Sequence, residues 1–444
     1  MNFKNNLLLR ALILSFFFSI TTSVQSETNA LGQQINVIDQ EKNVNSDQTN
    51  YKYSIWTRIN SGYKMKERPS RRIRNFEKWY SKRPEYVERM LLRSEKYLFY
   101  VVGEVEKRNM PMEIALLPMI ESAYNPIATS RQKAAGMWQF IPSTGKIYGL
   151  KQNWWVDDRR SVMAATNAAL NYLEKLHKEF GTWELALASY NAGEGRVGRA
   201  IKKNKRNKKP RGYYSLRLPK ETKNYVPKLF AIKNIISNPS KYGLNLPKIM
   251  NQPYFESVKV EKKIDAQLIA KLAEISIEEF QLLNPQHKRP VINVKNASQK
   301  INLPYQNIHI FNYNLYSYNK PLSNWNAYKP KKKESVAQVA KKFGIDRKIL
   351  IQVNRLERRK SFRKNSTILI PNKDAITTYF PSNVNELYNY SSIITHKVSP
   401  GQTLSHISDK YNISVKDIKE FNELRSDRII IGDILDIPKS VSYT

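Results

Sequence analysis

Apolar residues recur at helical spacing through the first half of the chain. Val87, Met90, Leu91, Leu98, Val101, Val102 and Val105 share one face, and so do Ala165, Ala168, Ala169, Tyr172, Leu173 and Leu176. That period predicts amphipathic helices. Glycine and proline punctuate the segments and no long alternating pattern intervenes, so 56–245 is expected to form one mainly α domain. Ahead of it, 27–55 is polar, rich in Asn and Gln and aperiodic, which predicts a flexible tether.

After Pro247 the texture changes to short β-like runs flanking charged helices, and the pattern repeats. The segment 396–404 lies 68 residues beyond 328–336, and Val353-Asn354-Arg355-Leu356 corresponds to Phe421-Asn422-Glu423-Leu424. Each copy closes on an aliphatic run ended by proline, Ile368-Leu369-Ile370-Pro371 and Ile434-Leu435-Asp436-Ile437-Pro438. A weaker copy carries Leu283-Asn284-Pro285 and Ile301-Asn302-Leu303-Pro304. Three small units are therefore expected, 254–305, 326–372 and 394–439, each reading strand, helix, helix, strand.

The extreme N-terminus sets the compartment. Lys4 and Arg10 precede the apolar stretch Ala11 to Ile20, and Val24 and Ser26 sit at positions suited to cleavage after Ser26. This is a secretory layout, with 1–26 the signal. An uncleaved anchor is the alternative, although the stretch is shorter than the roughly 20 residues that span a bilayer. The expected location is the periplasm or cell envelope, reached across the inner membrane. With no cysteine, attachment of a lipid through a thioether is excluded.

Charge adds a partner to this picture. Lys and Arg number 74 against 38 Asp and Glu, a net charge of +36 over 444 residues. Such an excess calls for an anionic partner: nucleic acid, a membrane surface, or an acidic polymer such as cell wall. Secretion removes nucleic acid, leaving the wall, with the membrane or another anionic envelope surface as a further contact. The absence of cysteine also excludes disulfides, thiolate metal sites and a cysteine nucleophile. With five His, no metal site and no cofactor are expected. The basic run Ile201 to Arg211, seven basic residues in eleven, reads as a solvated loop.

The most informative segment is Pro111 to Ser122. Seven apolar residues, Ile114 to Ile120, run into Glu121, and Asn125-Pro126 is expected to stop the helix. Desolvation and the negative end of a helix dipole both favour the protonated carboxyl a general acid needs. A Glu closing an apolar helix can equally be an exposed terminal residue. Further on come Ser130, then Ala134-Ala135-Gly136-Met137-Trp138-Gln139-Phe140-Ile141-Pro142, then Ala188-Ser189-Tyr190-Asn191-Ala192-Gly193-Glu194-Gly195, then Glu221-Thr222-Lys223-Asn224-Tyr225-Val226-Pro227-Lys228.

These ordered motifs resemble the soluble lytic transglycosylase family. The resemblance implies a lysozyme-like α domain acting on peptidoglycan glycan strands, here followed by small βααβ modules in a multidomain chain. Carried over by position, Glu121 matches the family's single catalytic acid/base, Ser130 and Gln139 match polar residues of its glycan cleft, and Tyr190, Asn191 and Tyr225 match its tyrosine-bearing motifs. Ser189 departs from the family's usual alanine. Plainer readings stand beside these: Gly136 and Gly193 as turn glycines, Tyr190 as a core aromatic, Trp154-Trp155 as core rather than sugar-stacking residues, and Asp157-Asp158 as a salt-bridged helix cap.

The last repeat resembles the LysM module, which binds N-acetylglucosamine-containing glycans, through His396-Lys397-Val398, Pro400-Gly401-Gln402-Thr403-Leu404, Ile407, Tyr411 and Asn422-Glu423-Leu424. Gly401, Gln402, Thr403 and Asn422 are its candidate glycan-binding residues. The second copy has Pro330 in place of Val398 and Lys333 in place of Gly401. The family's chemistry is cleavage of the β-1,4 bond between N-acetylmuramic acid and N-acetylglucosamine, leaving a 1,6-anhydro end. The alternatives are a hydrolytic muramidase on the same fold, or a non-catalytic binder of an anionic surface or nucleic acid. Since all four motifs end before Pro247, truncation after about Lys248 is expected to leave a competent enzyme.

Overall fold

The computed structural model describes residues 54–438, apart from 295–297, 332–333, 355, 357–361, 363–365, 372–392, 412, 416–417, 420–421, 423 and 425. The expected signal and nearly all of the expected tether lie outside the described residues. In chain order come α1 (Ile55–Ser61), α2 (Arg71–Ser81), α3 (Pro84–Lys107), a 3-10 turn (Met112–Leu116), α4 (Leu117–Ser122), α5 (Pro142–Ile147), α6 (Val162–Phe180), α7 (Trp183–Ala192), α8 (Glu194–Arg206) and α9 (Lys220–Ser237). There follow β1 (Phe255–Val260), β2 (Ile264–Asp265), α10 (Ala266–Leu272), α11 (Ile277–Leu283), β3 (Val291–Ile292), β4 (Gln299–Pro304) and α12 (Ile308–Tyr316). The remainder holds β5 (Trp325–Tyr328), α13 (Val336–Phe343), α14 (Arg347–Asn354), β6 (Ile368–Pro371), β7 (Ile393–Lys397), α15 (Leu404–Tyr411) and β8 (Ile434–Pro438). No described helix is long and apolar enough to cross a membrane.

The helices start where local chemistry allows. Hydroxyls of Ser54, Ser70 and Thr182 accept the N–H groups of Trp56, Ile73 and Leu185, and Pro84 opens α3. Compactness then gathers the residues up to Ile120 with Leu173–Tyr254, and Glu121–Tyr172 with Phe255 onward. In the first unit, Leu98, Val101, Val102 and Val105 of α3 are buried, as are Ile114 and Leu116 and, from α9, Val226, Leu229 and Phe230. The helix α9 packs along α2 and α7, and α3 along the 3-10 turn. Burial of such aliphatic side chains contributes about 1.5–3 kcal/mol each.

The apolar run before Glu121 departs from the single helix expected. It is a five-residue 3-10 turn followed by the six-residue α4; Pro118, which has no N–H to continue an earlier ladder, sits in the first turn of α4, where proline is best tolerated. The helix also ends before Asn125-Pro126: Ala123 and Tyr124 take φ values of 50° and 58°. The basic run is half helix, since 201–206 forms the last turns of α8.

In the second unit each repeat pairs its first strand with its last in the same register: Phe255 with Pro304, Trp325 with Pro371, Ile393 with Pro438. Each encloses its own core, around Ile269, Phe280 and Ile301, around Val339, Leu350 and Ile368, and around Leu404, Ile407 and Leu435. The repeated asparagine closes the unit. Asn284 donates to Phe280 O (2.9 Å) and Asn302 O (2.7 Å) and accepts from Asn302 N (2.7 Å). Asn354 does the same with Leu350 O (3.0 Å), Leu369 O (2.8 Å) and Leu369 N (2.6 Å). The first repeat adds the short β2–β3 pair and the trailing α12.

That first repeat is bonded to the segment 153–163. Asp157 N donates to Gln286 O (2.9 Å), Lys288 N to Trp155 O (2.9 Å) and Lys288 Nζ to Asn153 O (2.7 Å). Trp154 and Trp155 are packing residues, set against Val291, Trp325 and Leu369, with the Arg289 guanidinium 4.0 Å over the Trp154 ring.

Candidate active site

Glu121 stands half-buried in the last turn of α4. The neighbouring Ser122 fixes that turn: its hydroxyl donates to Met137 O (3.0 Å) and accepts from Asn125 N (3.1 Å). The chain then passes through left-handed Ala123 and Tyr124, a conformation that costs a non-glycine residue about 1–2 kcal/mol. Tyr124 is wholly buried, and burial pushes its phenol well above the usual range.

Ser122 thereby ties the first motif to the second. In the second, Gly136 has φ 82°, and a Cβ there would lie 1.9 Å from Arg159 O. Gln139 is left-handed too, at φ 49°, and donates from Nε2 to Gly136 O (2.8 Å). The indole of the fully buried Trp138 donates to Thr166 Oγ1 (2.9 Å), whose own hydroxyl donates to Val162 O (2.6 Å). Ser130 is exposed and closes its own turn, accepting from Ala134 N (3.1 Å). Arg159 pairs with Asp157 (2.8 Å) and donates to Lys133 O (2.6 Å) and Phe140 O (3.2 Å). Asp157 and Asp158 do not cap α6; the start of that helix is bonded by Ser161, whose hydroxyl accepts from Ala164 N (3.3 Å). Asp158 instead accepts from Lys151 N (3.1 Å).

In the first unit the third and fourth motifs meet. Asn191, at the end of α7, accepts from the Thr222 hydroxyl (2.8 Å) and donates to Glu221 Oε1 (3.3 Å). Tyr190 beside it is half-buried, and Tyr225, one turn into α9, is buried. Lys228 donates to Ile120 O (3.5 Å), which joins the fourth motif to the residue before Glu121. Ser189 Oγ is buried with no hydrogen-bond partner.

The residue sequence reasoning missed is Glu113. It is wholly buried, and its two carboxylate oxygens accept from Met65 N (3.0 Å) and Lys64 N (3.1 Å). Burial raises its pKa against the pull of those bonds. Its only sequence signal was a charge inside an apolar run. With both oxygens taken by backbone donors, it is a structural clasp.

In the last repeat Gly401 has φ 79°, Thr403 Oγ1 accepts from His406 N (3.3 Å) at the start of α15, and Asn422 donates to Ile418 O (2.7 Å). Gln402 lies in a network with His396 and Tyr411.

Comparison with known proteins gives three family matches: a transglycosylase SLT domain over 102–211, the LysM-like domain of lytic transglycosylase MltD over 254–320, and a LysM domain over 396–438. The chain is 36% identical over 380 residues to membrane-bound lytic murein transglycosylase D of Escherichia coli, in strain K12 and in strain O6:H1, covering 83% of this chain and 82% of the relative. A solved structure, the spore cortex-lytic enzyme SleL of Bacillus cereus, is matched at 19% identity over 26% of this chain and 23% of that one, with a TM-score of 0.12.

Proposed function

The chain belongs to the membrane-bound lytic murein transglycosylase D family and is a peptidoglycan lytic transglycosylase; from this premise we propose that Glu121 is its one acid and base. The observation that supports the choice is its place: Glu121 lies half-buried in the last turn of α4, directly after the buried apolar run and beside Ser122, whose hydroxyl pins that turn to Met137 O (3.0 Å). The other carboxylate of that segment, Glu113, is wholly buried and clasps two backbone N–H groups, so substrate has no access to it.

In this reading Glu121 donates its proton to the glycosidic oxygen as the C1–O bond of N-acetylmuramic acid breaks. The sugar's own N-acetyl oxygen supports the positive charge at C1. Glu121, now an anion, takes the proton of the 6-hydroxyl as that oxygen bonds to C1. The products are an N-acetylglucosamine hydroxyl and a 1,6-anhydro end, with no water consumed. A second carboxylate, which ordinary glycosidases need, has no step to perform. Ser130, Gln139, Tyr190, Asn191 and Tyr225 belong to glycan binding, and the last repeat holds the chain on the polymer through Gly401, Gln402 and Thr403, with Asn422 supporting the turn. The enzyme works in the periplasm or envelope, where its substrate is.

Mass spectrometry of fragments released from purified peptidoglycan tests this. Anhydro ends are expected, and reducing ends would make the protein a hydrolase. Glu121→Gln is expected to lower turnover by at least the ~10²–10⁴ that general-acid loss brings, with unchanged folding. Retention of a tenth of the activity would displace Glu121 from its role.

A further inference from the structure

The common register aligns the three repeats residue by residue. Val258, Tyr328 and His396 occupy one position on the first strand, each three residues past its start and facing Ile301, Ile368 and Leu435. Ile264, Glu334 and Gln402 occupy another, each two residues before the following helix. In the second and third repeats these two positions are hydrogen-bonded to each other, with different chemistry.

In the last repeat Gln402 Oε1 accepts the backbone N–H of Ser399 (2.8 Å). A backbone N–H needs an acceptor there, which fixes the amide with its oxygen inward. His396 Nε2, 2.8 Å from the same oxygen, must then carry the proton, and Nδ1 accepts from the Tyr411 hydroxyl at 2.9 Å. The imidazole is 5% exposed, so this tautomer is held by both neighbours. The consequence is that the Gln402 NH2 group points away from the network with no partner among the described residues.

In the second repeat the same place holds Glu334, an acceptor with nothing to donate. Its oxygens take the Tyr328 hydroxyl (3.1 and 2.9 Å), Lys331 N (2.8 Å) and Lys342 (3.8 Å). In the first repeat the pair is Val258 and Ile264, the latter 1% exposed.

We propose that His396, backed by Tyr411, is a positioning residue that turns the Gln402 amide outward as a donor to acetamido carbonyls of the glycan, and that the two earlier repeats lack this donor and do not bind. This rests on the reading of the last repeat as a glycan binder.

The test uses the full chain, retained on purified sacculi at high salt and displaced by N-acetylglucosamine hexamer. Gln402→Glu keeps the acceptor for Ser399 and His396 and replaces only the outward NH2, so the repeat should fold; retention is expected to weaken about tenfold. His396→Phe should weaken it likewise, while His396→Tyr, which supplies a hydroxyl as Tyr328 does, should stay within about twofold of the native chain. Glu334→Ala should leave retention unchanged. If the hexamer displaces the native chain and Gln402→Glu is retained equally, the donor assignment is wrong although the repeat binds. If the hexamer does not displace the native chain, the glycan-binding reading fails and this inference with it.

Discussion

The carbonyl oxygen of Arg159 occupies the space where a side chain on Gly136 would begin, 1.9 Å from the position of a Cβ. Both partners are backbone, so neither can swing away. Gly136→Ala should therefore destabilise the protein by at least about 3 kcal/mol, combining left-handed strain with the clash. Denaturant unfolding measures it, and a loss below about 1 kcal/mol would mean that the segment shifts freely.

Ser189 makes the opposite case. Its hydroxyl is buried without a partner, a burial that costs about 1–3 kcal/mol. Ser189→Ala is expected to leave stability unchanged or raise it by about 1 kcal/mol, with full activity. A loss of stability would reveal a bond the hydroxyl makes in solution.

The bonds between 153–163 and the first repeat move the tolerated truncation point. Ending the chain after Lys248 would strip Asp157 N, Trp155 O and Asn153 O of partners and uncover Trp154 and Trp155. That variant is expected to melt several degrees lower, or to be insoluble. Ending it after Pro371 keeps Val291, Trp325 and Leu369 and should preserve both the melting temperature and turnover on soluble fragments, while sacculus retention falls. Equal melting for the two truncations would restore the earlier expectation.

His287 predicts a pH signature. Burial lowers its pKa from 6.5 to about 4, so the folded state refuses a proton that the unfolded chain accepts. Its contribution is complete above pH 6.5 and is lost as pH falls towards 4, by about 3 kcal/mol at ~1.4 kcal/mol per pKa unit. Asp265, raised from 3.8 to about 6 by burial, works the other way: its cost is full above pH 6 and fades as pH falls to 3.8. In the native chain the two offset. His287→Asn should expose the second alone, so the variant gains on the native protein as pH drops from 6.5 to 4. Denaturant midpoints across that range check it, and a constant difference between the two proteins would contradict it.

The helices were legible because burial enforces a period. The spaced apolar positions of α3 and α6 are all buried. The repeats were legible because an asparagine and an aliphatic strand ended by proline recur, and the structure gives each a mechanical role. The division before Glu121 was hidden, since Pro118 reads as harmless in a first turn and two left-handed non-glycine residues leave no signal in composition. The bonding of 153–157 to the first repeat was equally hidden, because it runs through backbone atoms that every residue owns. Of the candidate site, the order of motifs was visible. The link from Ser122 to Met137, and the clasp made by Glu113, depend on geometry.

Because each repeat pairs its opening residue with its closing proline, the chain enters and leaves every module at the same edge. A further module can therefore be inserted without re-routing what flanks it. Such an arrangement lets a gene lengthen its product one bead at a time.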